Sequence, residues 1–307
     1  MGWTLDDVVK MPCREVWLQA GLHAALEGQE LTRLSGPWGK RLRRLAAAKA
    51  FLLALAQHFR ESGKPVRVAG AAAAAPTVGR LWLGGRTVWA APTWVASRET
   101  IHTLRRGGFE EAWAVVPWPL REAAAPRRDD WLAFGLVLAL EASTASEAAR
   151  ARAAGFPLWV LHWMPEKWRA FPRGASLTLK AEHALTLHLH GRAAGAPTHQ
   201  TVALAAGQPQ RLALTWEQLV ALSADAWPRG RVGLTLPGWP PHVVMPRQWE
   251  NARLYGLEVW LLGFLQWGTF WRQARYFRRG ERSFPHGPHF APAYGVPWRA
   301  LEPPRAV

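Results

Sequence analysis

The sequence is poor in cysteine, lysine and acidic residues, and each shortage excludes something. Cys13 is the sole cysteine in 307 residues, so the chain can form no internal disulfide and no cysteine-rich zinc site. A lone thiol fits a reducing compartment, and the opening MGWTLDDVVK lacks the apolar centre of a secretory leader, so a cytoplasmic protein is expected. Lysine occurs only at positions 10, 40, 49, 64, 167 and 180, so arginine carries nearly all of the 38 basic side chains. Acidic residues number 22, which leaves a net charge of +16 and a pI near 11.3. The chain also lacks G-x-x-x-x-G-K-[ST], a G-x-G-x-x-G after a strand, G-x-S-x-G and H-E-x-x-H. Nothing therefore supports an ATPase, a dinucleotide-dependent enzyme or a zinc protease, and no cofactor or metal is expected.

What the sequence has is arginine and tryptophan. Guanidinium forks pair with phosphate in two-pronged fashion, and aromatic faces stack on unpaired bases. Twenty tryptophans exceed what a core of this size demands, although most are expected inside it. The partner class implied is nucleic acid, RNA or single-stranded DNA, with other protein subunits beside it. No helix-turn-helix or zinc-finger spacing points to duplex reading.

Periodicity gives an α+β chain in five segments. Residues 1–68 read as helical, with Thr4 and Asp7 as a capping pair, one helix from Arg14 to Glu27, a Ser35-Gly36-Pro37 turn, and a second helix from Trp38 to about Gly63. The second helix opens on Lys40, Arg41, Arg43 and Arg44, where positive charge opposes the helix dipole. Such a cluster is better placed to serve a partner than its own helix. The alanine-rich stretch 69–76 reads as a connector, and Gly84-Gly85 as the turn of a hairpin.

Residues 77–165 read as strand 86–91, helix 97–106, strand 111–117, strand 131–140, a helix opened by the Thr144/Glu147 box, and strand 158–163. That order is the ferredoxin-like βαββαβ unit. It is similar to the element order of RNA-recognition modules, of the subunits that handle guide RNA in CRISPR systems, and of relaxase and replication-initiator endonucleases. The resemblance lies in element order; the RNP aromatic pattern and the glycine-rich loop of the CRISPR proteins are missing. It implies nucleic acid on an open sheet face and a place in a CRISPR-type or mobile-element assembly. Arg105-Arg106 would lie at a helix end and Arg127-Arg128 in the loop between the middle strands.

Residues 175–240 read as antiparallel strands interrupted by a short helix from Thr215 to about Ala224. Residues 246–280 read as one long helix, core in its first half, with Arg272, Arg275, Tyr276, Arg278 and Arg279 at its end and Arg282 just beyond. Glu258 and Gln266 inside its apolar run argue against a membrane span. Residues 281–307 read as an extended proline-rich tail.

Three patterns carry other chemistry. His188 and His190 share a strand face, as the metal-holding pair of HUH endonucleases does, and Tyr276 on the long helix would be the nucleophile. His286 and His289 in PHGPHF could be a surface metal pair or a proline-bounded turn. Asp129-Asp130 with Glu141 lacks the lysine of a nuclease carboxylate set. A nuclease of guide RNA or mobile DNA, and a scaffold for an acidic protein, are the two competing functions.

Overall fold

The computed structural model describes residues 5–27, 37–72, 75–109, 111–120, 127–172 and 174–304. Thr4 of the expected capping pair and the Ser35-Gly36 turn lie outside them. The chain is α+β and forms two compact units, Met1–Leu140 with Leu254–Val307, and Glu141–Arg253.

The first unit begins with β1 (Val9–Met11), α1 (Glu15–Glu27), α2 (Trp38–Glu61), β2 (Val66–Ala72), β3 (Ala75–Leu83) and β4 (Arg86–Val95). It continues with α3 (Arg98–Arg105), β5 (Trp113–Pro117) and β6 (Trp131–Leu140). The second unit holds α4 (Ala145–Ala153), β7 (Val160–Trp163), β8 (Ser176–Ala181), β9 (Leu185–Ala193), β10 (Ala196–Leu204) and β11 (Pro209–Ala213). It closes with β12 (Gln218–Ala224), β13 (Val232–Thr235), β14 (His242–Val244) and β15 (Glu250–Asn251). The chain returns to the first unit through β16 (Tyr255–Gln266), α5 (Trp267–Gln273), β17 (Arg275–Phe277), β18 (Arg282–Ser283), β19 (Gly287–Pro288) and β20 (Ala293–Pro297).

The first unit is built on a sheet ordered β1-β16-β6-β4-β3-β2, in which only β4 and β6 run parallel. Helix α2 covers one face, and two glycines let it come close. A Cβ on Gly135 would stand 2.0 Å from Cε2 of Phe51, and one on Gly79 would stand 2.6 Å from Cδ1 of Leu52. The other face carries the main core, where Trp89, Phe134, Leu136 and Leu138 meet Ile101 and Leu104 of α3, Val116 of β5 and Phe270 of α5. A small sheet, β17-β20-β5, completes the unit.

The long helix expected over 246–280 does not form. Its apolar half is strand β16, paired with β6 from Tyr255↔Leu140 to Gln266↔Trp131. Both strands are covered on both faces, and every residue from Val259 to Leu265 is buried. Such a strand has no reason to alternate, so its unbroken apolar run satisfies helical spacing as well as strand spacing. Besides a 3-10 turn at Pro246–Gln248, the only helix in the segment is α5, seven residues long. Among the described residues no helix is long and apolar enough to cross a membrane.

The ferredoxin-like unit is also corrected. Its six elements appear in the expected order, but their strands do not share a sheet. Strands β4 and β6 pair with each other, β5 pairs with β20, and β7 lies in the second unit between β12 and β15. Local pattern fixed the elements; partners distant in sequence took the edges. The alanine-rich connector is a β2–β3 hairpin, paired from Val66↔Leu83 to Ala72↔Ala75. Gln218–Ala224 is strand β12 rather than helix, buried between β7 and β9. The tail beyond Ser283 is pinned by β20, which pairs with both β5 and β17. The capping box at Thr144 and Glu147 forms as read.

In the second unit, sheets β10-β9-β12-β7-β15 and β11-β8-β13-β14 enclose a core that includes Trp168, Trp216 and Trp249. Of the expected antiparallel pairs, β8 pairs with β11 and β13, whereas β9 pairs with β10 and β12.

Candidate nucleic-acid interface

The first unit brings together two basic clusters that are more than two hundred residues apart in sequence. The opening turns of α2 lie beside the segment that runs from β17 through β19. Lys40 Nζ sits 5.7 Å from the ring of Phe290, and the charge of Arg44 acts on both His286 and His289. His286 Nε2 donates to the carbonyl of Trp113 at 2.8 Å, which leaves Nδ1 to accept from Thr93 Oγ1 at 3.3 Å. Burial pushes the His286 imidazole down to about 4; the neighbouring His289 and Arg44 act in the same direction and the Trp113 carbonyl against it. Burial is also the main cause of the lowered pKa of His289. Both rings are therefore neutral at pH 7. Burial likewise lowers the pKa of Arg44, and no carboxylate among the described residues pairs with it.

Beyond this niche the surface is cationic and aromatic. Tyr276 is 41% exposed and Phe290 38%. Tyr276 stands edge-on to Trp118 at 5.5 Å, and Trp118 stacks on Tyr294 at 5.4 Å, so the exposed ring is braced from below. Arg278, Arg279 and Arg282, which follow it in sequence, are exposed, with no side-chain partner among the described residues. The one nearby acid, Glu281, is occupied: it pairs with Arg275 and accepts from the backbone N–H of Arg278 at 3.0 Å.

No family model, curated protein or solved structure matches the chain.

Several expected contact residues take structural posts instead. Arg43 is 6% exposed and lies over Trp94 at 5.8 Å, so it packs α2 onto β4 rather than facing solvent. Arg105 pairs with Glu258 of β16. Arg275 covers Phe277 at 5.0 Å as well as meeting Glu281. Arg41 is only partly exposed, and Arg272 donates to Thr269 Oγ1 at 3.1 Å. Arg106, Arg127 and Arg128 are exposed, the last two beside the start of α5, where Gly268 N–H donates to the Arg128 carbonyl at 3.1 Å. His286, His289, Thr93 and Phe290 were missed as interface residues. Only the bracketing prolines and histidines of PHGPHF signalled a fixed turn, and nothing local placed it against α2.

The HUH-like candidates fall on other elements than expected. Tyr276 is on strand β17 of the first unit rather than on a helix, while His188 and His190 lie on β9 of the second. They do share a face, but both are engaged. His188 contacts Thr201 Oγ1 at 2.9 Å and Asp225 Oδ1 at 3.2 Å, and His190 contacts Ser223 Oγ at 2.7 Å. Among the described residues no group of three histidine, cysteine or acidic side chains is placed to hold a metal ion.

The second unit contains a further histidine pair. His162 Nδ1 donates to the Gln248 carbonyl at 3.0 Å, so its bare Nε2 accepts from His242 Nε2 at 3.1 Å. Burial comes first in depressing both, and takes His242 to about 4 with help from His162 and Lys167. A depressed imidazole pKa means the unfolded chain binds more protons between about 4 and 6.5, so stability falls as the pH drops through that window. The thermal midpoint is expected to fall by on the order of 5 °C between pH 7 and pH 4.5. His242→Gln should lose less over the same range in a calorimetric scan. An equal loss would assign the acid sensitivity to other groups.

Proposed function

We propose that the protein binds single-stranded RNA or DNA on the first unit, along the surface where the start of α2 meets the β17–β19 segment. The observation that carries this is a run of exposed cations, Arg278, Arg279 and Arg282, that no carboxylate in the described residues neutralises, flanked in sequence by two exposed rings, Tyr276 and Phe290, the latter under Lys40. Phosphates satisfy the guanidinium groups and bases lie against the rings. Arg44 adds a charge whose burial is costly until an anion reaches it. The net charge of +16 supports the same partner by drawing a polyanion in over long range. A binding subunit of a cytoplasmic nucleoprotein assembly is the setting that this reading favours.

Fluorescence anisotropy with a labelled twelve-nucleotide RNA, the matching DNA and the blunt duplex tests the proposal. The single strands should bind more tightly than the duplex at low salt, with an affinity that falls steeply as salt rises. Failure of all three to bind at about 50 mM salt would overturn it.

A further inference from the structure

Toward the β2–β3 edge, where the face opposite α2 emerges from the main core, the sheet carries a second arginine–aromatic arrangement, remote from the first along β4. The β2–β3 register sets Arg67 opposite Trp82, and the β3–β4 register sets Arg80 opposite Trp89. Side chains two apart on a strand share a face, so Arg80, Trp82, Thr87, Trp89 and Arg67 all point to the same side. Helix α2 lies on the opposite side, where Gly79 meets Leu52. The arginines cap the indoles: Arg67 Cζ is 5.6 Å from the Trp82 ring and Arg80 Cζ is 5.7 Å from the Trp89 ring. Trp89 is buried, its Nε1 donating to Asp130 Oδ2 at 3.3 Å, but Trp82 is 38% exposed. Asp130 also accepts from the backbone N–H of Arg127 at 3.0 Å, which brings the exposed Arg127 and Arg128 to the rim of this face.

Among the described residues, charge here is one-sided. Asp130 is buried and spent on the Trp89, Thr87 and Arg127 hydrogen bonds, and Asp129 is the only exposed acid in the turn. Arg80 has its Nε buried with no hydrogen-bond partner. An exposed indole capped by one guanidinium group on a strand face meets the requirements of a base-stacking platform: a flat ring, a fixed orientation, and cations for the flanking phosphates.

We infer that the β2–β4 face is a second contact for an unpaired nucleic-acid strand, with Trp82 as the base platform and Arg67, Arg80, Arg127 and Arg128 as phosphate contacts. The inference rests on the nucleic-acid reading above and extends it to a separate surface. Thr87, beside Trp82, and Thr93, which holds His286, are on the same face of β4 and six residues apart, about 20 Å along the strand.

Crosslinking tests the assignment. A twelve-nucleotide RNA carrying 5-iodouridine is irradiated with the intact protein, and adducts are mapped by mass spectrometry; Trp82→Ala and Trp82→Phe are compared by anisotropy. Adducts on Trp82 are expected, with affinity about tenfold lower in Trp82→Ala and largely kept in Trp82→Phe. Because the ring is uncharged, the salt slope should not change, whereas heparin binding should be the same in all three proteins. If adducts form only at Tyr276 or Phe290 and Trp82→Ala binds as wild type, this inference is overturned and the first surface stands. Equal weakening toward heparin would make the face a general cationic surface and overturn it as well. No binding by the wild-type protein would remove both readings.

Discussion

Replacing Arg278, Arg279 and Arg282 together with alanine should flatten the salt dependence of single-strand binding by about two in the log–log slope. Each phosphate contact on a single strand contributes roughly 0.7 to that slope through counterion release, so three contacts give about two. Extrapolated from 1 M salt, that difference amounts to about a 100-fold loss of affinity at 0.1 M. The three side chains are exposed and make no side-chain hydrogen bond or ion pair with the described residues, so the fold should not register their loss. Arg105 provides the control. It is equally cationic but pairs with Glu258, so Arg105→Ala should leave the slope almost unchanged. A triple variant with wild-type slope would show that the strand lies elsewhere.

The second large effect concerns the fold. A β-carbon on Gly135 has no place to go: its nearest neighbours would be Phe51 Cε2 at 2.0 Å and the Trp260 carbonyl at 2.5 Å. The first is a ring of α2 with no exposure, and the second is backbone of β16, paired with β6 in register. Gly135→Ala must push α2 off the sheet or tear the β6–β16 ladder, and overpacking of this kind costs about 3 kcal/mol. In a chain of this size the thermal midpoint should drop by about 10 °C. Adding Phe51→Leu removes the ring that clashes, and the pair should recover part of the loss, which a double-mutant cycle measures as coupling between the two sites. Additive losses would mean that the helix does not rest on Gly135.

Much of the local structure was legible. The two N-terminal helices, the Gly84-Gly85 hairpin turn and the Thr144–Glu147 box each depend on neighbours within a few residues, and each formed. The basic and aromatic residues of 272–282 were visible as a cluster for the same reason. Their use was not. Arg275 and Glu281 are close in sequence, yet that they pair, while Arg278 and Arg279 stay open, depends on the turn between β17 and β18. Arg67, Arg80 and Trp82 gave no signal at all, because a cation and a ring on neighbouring strands meet only when the register brings them opposite.

By itself, the sequence determined the composition of the surface and the elements whose causes are local: an arginine-dominated excess of charge, a chain without disulfides, two short helices capped by Ser97 and Thr144, hairpins with glycine turns. Tertiary structure alone decided that residues 255–266 are a strand, that the βαββαβ elements are shared among three sheets, and that Lys40 meets Phe290. The reason is physical. A fully buried strand and a buried helix expose the same apolar run to a reader of sequence, and which one forms depends on the partner waiting on either side.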